Sequence, residues 1–212
     1  MELERIYGNE KVKEHLLDAL KNSRIPHAQI FCGPEGSGTL PMALAYIKTI
    51  IQHIKHGKWQ DQPNSSGNLK VEKLIHPDIH FSFPVNKTDN IKGLKLVSDD
   101  FIHLWREAVI EMPYMNLNAW YNHIGLLKTQ GSISVNESSA IMKKLSLKPF
   151  ESEYKFMVIW MAELINSAAA NKLLKLLEEP PEKTIFILIA QSTEQILPTI
   201  LSRCQLVQFS PI

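Results

Sequence analysis

Two short runs limit what this chain can fold into. Residues 154–161 read YKFMVIWM and residues 184–190 read TIFILIA, both apolar without polar alternation. A strand with one wet face alternates. A strand that is apolar throughout is covered on both faces, as in a parallel sheet wrapped by helices. Between the two runs, residues 167–179 (SAAANKLLKLLEE) carry leucines at helical spacing, and Pro180-Pro181 stops the helix. Strand, helix, strand is the unit from which a parallel sheet is built.

The rest of the chain repeats that alternation. Residues 9–22 read as an amphipathic helix with Val12, Leu16, Leu17 and Leu20 on one face and Asn9 as N-cap. Residues 27–32 (HAQIFC) read as a buried strand, and residues 41–53 as a helix that tolerates Pro41 in its first turn. Residues 57–75 are poor in structure, with a loop at 62–68. Residues 79–85 (IHFSFPV) make a further strand. Helical periodicity returns over 98–123 with Phe101, Trp105, Tyr114, Trp120 and Tyr121, then over 136–147, with Asn136 as cap and Ser138-Ser139 in the first turn. A short helix from 193 to 201 and a strand at 206–209 close the chain. The pattern predicts a three-layer α/β fold around a mostly parallel central sheet.

The 212 residues suffice for one large domain or two small ones with a real core. A net charge of +1 supplies no strong attraction to nucleic acid or anionic membrane, although a local basic patch stays open. The two cysteines, Cys32 and Cys204, are far apart and lack metal-type spacing, which suits free thiols in a reducing compartment. No signal-peptide pattern opens the chain, and no apolar run approaches the roughly 18 residues of a membrane span. The expectation is a cytoplasmic protein with no membrane partner.

The loop after the strand at 27–32 reads CGPEGSGTLP. Gly33 and Gly38 stand where G-x-x-x-x-G-K-[ST] places its glycines, with Gly36 between them, and strand–loop–helix is the required context. In a working loop, backbone N–H groups cradle the phosphates, Lys reaches the outer ones and the next hydroxyl holds Mg²⁺. Here Thr39 brings no charge, Leu40 cannot ligate a metal and Pro41 has no N–H. The loop reads as a sharp strand-to-helix connection, with at most weak anion binding left in its N–H groups.

Other chemistry is sparse. H-E-x-x-H, G-x-S-x-G, C-x-x-C and the dinucleotide fingerprint are missing, and Ser37 and Thr39 have no readable base partner. His53-x-x-His56 has helical spacing, and His76 and His80 flank Pro77-Asp78. A His-based zinc site is conceivable, but these read as surface or capping histidines, so no metal is expected. The aromatics of 101–121 could stack on bases. Without clustered Lys or Arg they read as core or a protein contact.

The order RIPHAQIFCGPEGSG, then HPDIHF, then KLLKLLEEPPEKTIFILIAQSTEQILPTILSRCQ resembles the clamp loader of bacterial DNA polymerase III, most nearly the delta-prime subunit family of the AAA+ ATPase superfamily. The resemblance covers residues 1–55, 74–87 and 140–212, and its last block is the most specific. It implies the P-loop NTPase (AAA+) fold over 1–212, with 88–135 as an insertion that has no counterpart, and with the lid and ring-forming collar domains missing from this chain. A motor of that family ends a strand in Asp-Glu for Mg²⁺ and water activation. Here Trp160 and Met161 fall at those places, as an apolar plug, with Glu163 two residues on. Ser202-Arg203-Cys204 matches the family's arginine finger, which reaches the ATP of a neighbouring subunit. Arg203 alone would read as a cation at a helix C-terminus. His27, in the family's Ile-Pro-His-Ala run, reads as a packing residue. The family's four-cysteine zinc module has no counterpart.

The implied function is a subunit without ATPase of its own and without cofactor, in a ring with motor subunits and the delta subunit, serving ATP-dependent loading of the sliding clamp onto primer–template DNA. The isolated domain is expected to be monomeric. Two rivals remain: an atypical active ATPase with Glu163 replacing the lost acid, and a pure interaction domain.

Overall fold

The computed structural model describes residues 2–65, 67–126 and 129–212. Residue 66 of the expected loop at 62–68, and residues 127 and 128 of the 88–135 stretch, lie outside the described residues. Along the chain come α1 (Glu10–Lys21), β1 (Ala28–Cys32), α2 (Thr39–His53), β2 (Ile54–Lys55), β3 (Lys58–Trp59), α3 (Asn68–Glu72) and β4 (Ile79–Ser82). They are followed by α4 (Ile102–Glu111), α5 (Leu117–His123), α6 (Val135–Leu145), β5 (Lys155–Trp160), α7 (Ser167–Glu178), β6 (Thr184–Ala190), α8 (Pro198–Leu201) and β7 (Gln205–Gln208).

Five strands form the central sheet in the order β4-β5-β6-β1-β7, and every neighbouring pair is parallel. The apolar runs are buried on both faces because side chains alternate across the sheet. In β5, Phe156, Val158 and Trp160 enter one core while Met157 and Ile159 enter the other. β6 divides in the same way, with Ile185, Ile187 and Ile189 against Phe186, Leu188 and Ala190. Helices α1, α2, α4 and α5 cover the first face, and α6, α7 and α8 the second. This is the expected three-layer α/β fold. His27 joins two layers, its Nε2 lying 3.2 Å from the Leu177 carbonyl oxygen.

Several local expectations need correction. Asn9 occupies the N-cap position of α1, but its backbone is left-handed and its side chain makes no cap bond. Instead the amide donates to the carbonyls of Ser37 and Ser210 and accepts from the Ser210 N–H, tying three distant segments together. Asn136 lies inside α6, and Ser134 holds the N-cap position. The helix expected over 193–201 is only α8, with Pro198 at its start. The residue before a proline is pushed out of helical backbone, so the helix cannot extend upstream. The region at 57–75 is more ordered than composition implied. β2 and β3 pair as a hairpin through His56 and Gly57, both at positive φ as a tight two-residue turn requires, and α3 follows.

The chain leaves the sheet after β4 and returns before α6. At the base of this excursion Val85 and Ser132 exchange backbone hydrogen bonds of 3.3 and 3.1 Å. Its members Phe101, Trp105, Ala108, Val109 and Trp120 are buried in the same core as Tyr46, Phe83 and Trp160. Glu137 on α6 pins it from below, accepting the Ser98 N–H at 2.7 Å. Burial pushes the Glu137 carboxyl up, and the hydrogen bonds from Ser98 only partly offset that.

Candidate functional site: the phosphate-loop cleft and the Arg203 corner

The glycine loop connects β1 to α2. Gly33 donates to the Ala190 carbonyl at 3.1 Å, which fastens the loop's start to the end of β6. A Cβ at Gly33 would come within 2.6 Å of Phe209 Cβ and of Ser37 Oγ. Only glycine fits there. Gly36 and Gly38 take φ of 78° and 79°, where L side chains are strained. Gly38 precedes α2, and Pro41 sits in the first turn, where its missing N–H breaks no helical bond. The fold thus uses the glycines as geometry. Leu40 is buried, and Thr39 is half-buried.

Trp160 ends β5. Met161 follows with left-handed backbone and turns the chain out of the sheet. Both are buried. The Trp160 ring lies 5.2 Å from that of Trp105, which stacks on Phe83 at 4.2 Å and meets Trp120 edge-on at 5.4 Å. The Trp120 indole N–H donates to the Pro84 carbonyl at 2.9 Å. Trp160 is therefore one wall of an aromatic box whose other members include two residues of the 86–131 excursion.

The loop, Trp160 and Met161 meet in one cleft. Its lining includes Gly33, Gly36, Gly38, Thr39, Leu40, Trp160 and Met161, together with Pro113–Asn116 from the link between α4 and α5. The cavity volume there is about 30 Å³. Tyr114 lies across the loop, its ring 3.1 Å from where a Gly38 Cβ would stand. Asn116 donates to the Glu35 carboxylate. The loop offers no cation, and the Glu35 carboxylate lines the cleft.

Glu163, the alternative acid, is not part of that lining. Its Oε1 accepts the Gln191 N–H at 2.9 Å, while Oε2 is buried without a partner. Burial pushes this carboxyl up. Nearby, burial and then the Glu163 charge push the Cys32 thiol up. Glu163 fastens the end of β6.

Arg203 is on the opposite layer, just after α8. Its guanidinium donates to the Thr199 carbonyl at 2.8 Å and pairs with Glu178 at the end of α7. The side chain remains 32% exposed. It takes no part in lining the cleft of its own chain.

The histidines do not converge. His53 stacks on Trp59 at 4.4 Å, and His56 forms the β2–β3 turn. His76 Nδ1 accepts the Asp78 N–H at 3.2 Å. Burial pushes His76 down, and pushes His80 down to about 4. Among the described residues no three His, Cys, Asp or Glu side chains are grouped to hold a metal ion. No helix among them is long and apolar enough to cross a membrane.

Sequence reasoning missed Tyr114 and Asn116 as parts of the site. The only local signal was Asn116 ahead of a helical run, where its side chain accepts the Ala119 N–H at 2.7 Å as an N-cap.

Comparison with known proteins places the chain. The family described as DNA polymerase III, delta subunit matches residues 8–212. DNA polymerase III subunit delta′ of Bacillus subtilis is 27% identical over 202 residues, which is 95% of this chain and 47% of that protein. The delta′ subunit of Escherichia coli is 48% identical over 56 residues, 26% of this chain and 17% of that one. The crystal structure of a DNA polymerase III gamma subunit-related protein from Thermotoga maritima covers 91% of this chain and 45% of its own, at 16% identity and a TM-score of 0.48. The chain spans about half the length, or less, of the relatives it matches. With a match running from residue 8 to residue 212, it belongs to the DNA polymerase III delta subunit family.

Proposed function

We propose that this chain is a non-catalytic subunit of the DNA polymerase III clamp loader. Residues 1–212 form one AAA+-like domain with a degenerate nucleotide site. The chain joins the motor subunits and the delta subunit and helps their ATP-dependent placement of the sliding clamp on primer–template DNA. Family membership supports the setting. One observation carries the non-catalytic part: the phosphate loop, Trp160 and Met161 converge on a cleft of about 30 Å³ with no lysine among its lining residues. Arg203 is the group this chain gives to a neighbour. Its guanidinium presents a planar fork of donors suited to phosphate oxygens. Its exposure, away from its own cleft, supports a role in trans.

Calorimetry with Mg-ATP and Mg-ADP tests the first half. No heat of binding is expected up to millimolar nucleotide. Micromolar binding would overturn the non-catalytic reading and return the chain to the motors.

A further inference from the structure

The cleft is not merely short of ligands. The five-residue link Met112–Asn116 between α4 and α5 puts four of its residues, Pro113–Asn116, on the cleft. We infer that this strap is the built-in occupant of the phosphate-loop cleft, holding the loop and the N-terminal segment in one arrangement without any nucleotide. The inference deepens the closed-site half of the proposed function and is independent of Arg203.

Four features carry it. The strap contacts both sides of the cleft: the Tyr114 hydroxyl accepts the Tyr7 N–H at 3.2 Å, and Asn116 donates to Glu35 in the loop. The Asn116 amide is fixed before it reaches Glu35, because its Oδ1 is spent on the N-terminus of α5. One side chain therefore starts a helix and fastens the loop. Both ends of the strap are anchored in the core, since α4 and α5 contribute Trp105 and Trp120 to the aromatic box that contains Trp160. Finally, Tyr114 lies against Gly38, where any larger residue would meet its ring. The glycine that would let a phosphate approach here lets a phenol approach instead. With the strap in place the cavity volume at the cleft is about 30 Å³.

Hydrogen–deuterium exchange of the whole chain tests this. In the double variant Tyr114→Ala/Asn116→Ala, amides of residues 33–42 are expected to exchange at least about tenfold faster, while peptides from β1 and β6 keep their protection. A second variant, Asn116→Asp, sets a carboxylate against Glu35 while keeping an oxygen to cap α5, and is expected to speed the same amides. Unchanged exchange of 33–42 in both variants would overturn the proposal. In the wild type, millimolar Mg-ATP or pyrophosphate should leave exchange at 112–116 unchanged. Faster exchange there would show a displaceable lid rather than a resident occupant, and would also overturn it. Nucleotide binding that leaves the strap undisturbed would refute the non-catalytic reading but not the strap, so the two failures are distinguishable.

Discussion

The phosphate-loop cleft and the Arg203 corner sit on opposite faces of one sheet and have opposite characters. The cleft is closed by the chain's own residues: Tyr114 lies on Gly38, Asn116 binds Glu35, and Trp160 is buried in an aromatic box. The Arg203 corner is open. Its guanidinium is held by Thr199 and Glu178, and the side chain as a whole stays 32% exposed. The difference separates two things that a nucleotide-hydrolysing fold does. Under the proposed function, receiving a nucleotide needs a lysine, a metal ligand and space, and Thr39, Leu40, Trp160 and Met161 stand in their places. Giving a charge to a neighbour needs one exposed, oriented cation, and that can persist after the receiving half is filled.

The largest expected effect falls on the open corner. Arginine fingers are worth about 10³–10⁵ in kcat. In a complex reconstituted with the motor subunits, Arg203→Ala should lower turnover at the adjoining site by at least about 10³-fold, with assembly unchanged by gel filtration. Arg203→Lys should not restore it, because an ammonium lacks the planar fork. Unchanged turnover would break the contrast and leave a pure interaction domain.

A smaller effect is expected at the closed end. Trp160 is 2% exposed and contacts Trp105. Truncating a buried aromatic side chain costs about 3–5 kcal/mol, so Trp160→Ala should lower the chemical-denaturation free energy by that order. The cleft is still without a lysine, and calorimetry of the variant should show no Mg-ATP binding. Binding by the variant would mean that Trp160 alone had been closing the site.

How much of this could be read from the sequence depends on whether the signal is local. β5 and β6 were legible because an unbroken apolar run has few other stable placements, and α7 because its leucine spacing ends at two prolines. That Thr39 and Leu40 stand where a phosphate loop has its Lys and its hydroxyl, with Pro41 next, could be read residue by residue. The strap could not. Met112–Asn116 has no periodicity, and nothing local indicates that it crosses to a loop more than seventy residues upstream. Asn9 shows the same limit. Its place before α1 was visible, but its side chain is spent on Ser37 and Ser210, and that is decided by the closing of the sheet. Residues 98–123 read as helical and aromatic from sequence alone, while the share of the 86–131 excursion in the core depends on the Val85–Ser132 clasp and on Glu137.

The smallest effect is expected at Glu163, and it sharpens the comparison by removing the last candidate acid from the closed end. Its carboxyl is pushed up by burial, with one oxygen on the Gln191 N–H and the other unpartnered. A carboxyl whose folded pKa lies above its unfolded value binds more protons when folded, so stability rises as the pH falls through the folded pKa. At higher pH the cost of holding the charge is fully present. Glu163→Gln removes that charge and keeps an oxygen for Gln191. Near neutral pH the variant should match or exceed the wild type by no more than about 1 kcal/mol, and the gap should close on acidification as the wild-type carboxyl takes up its proton. ATP turnover of the reconstituted complex should not change. A fall in turnover without loss of assembly would place Glu163 in the chemistry and make the closed end a working site after all.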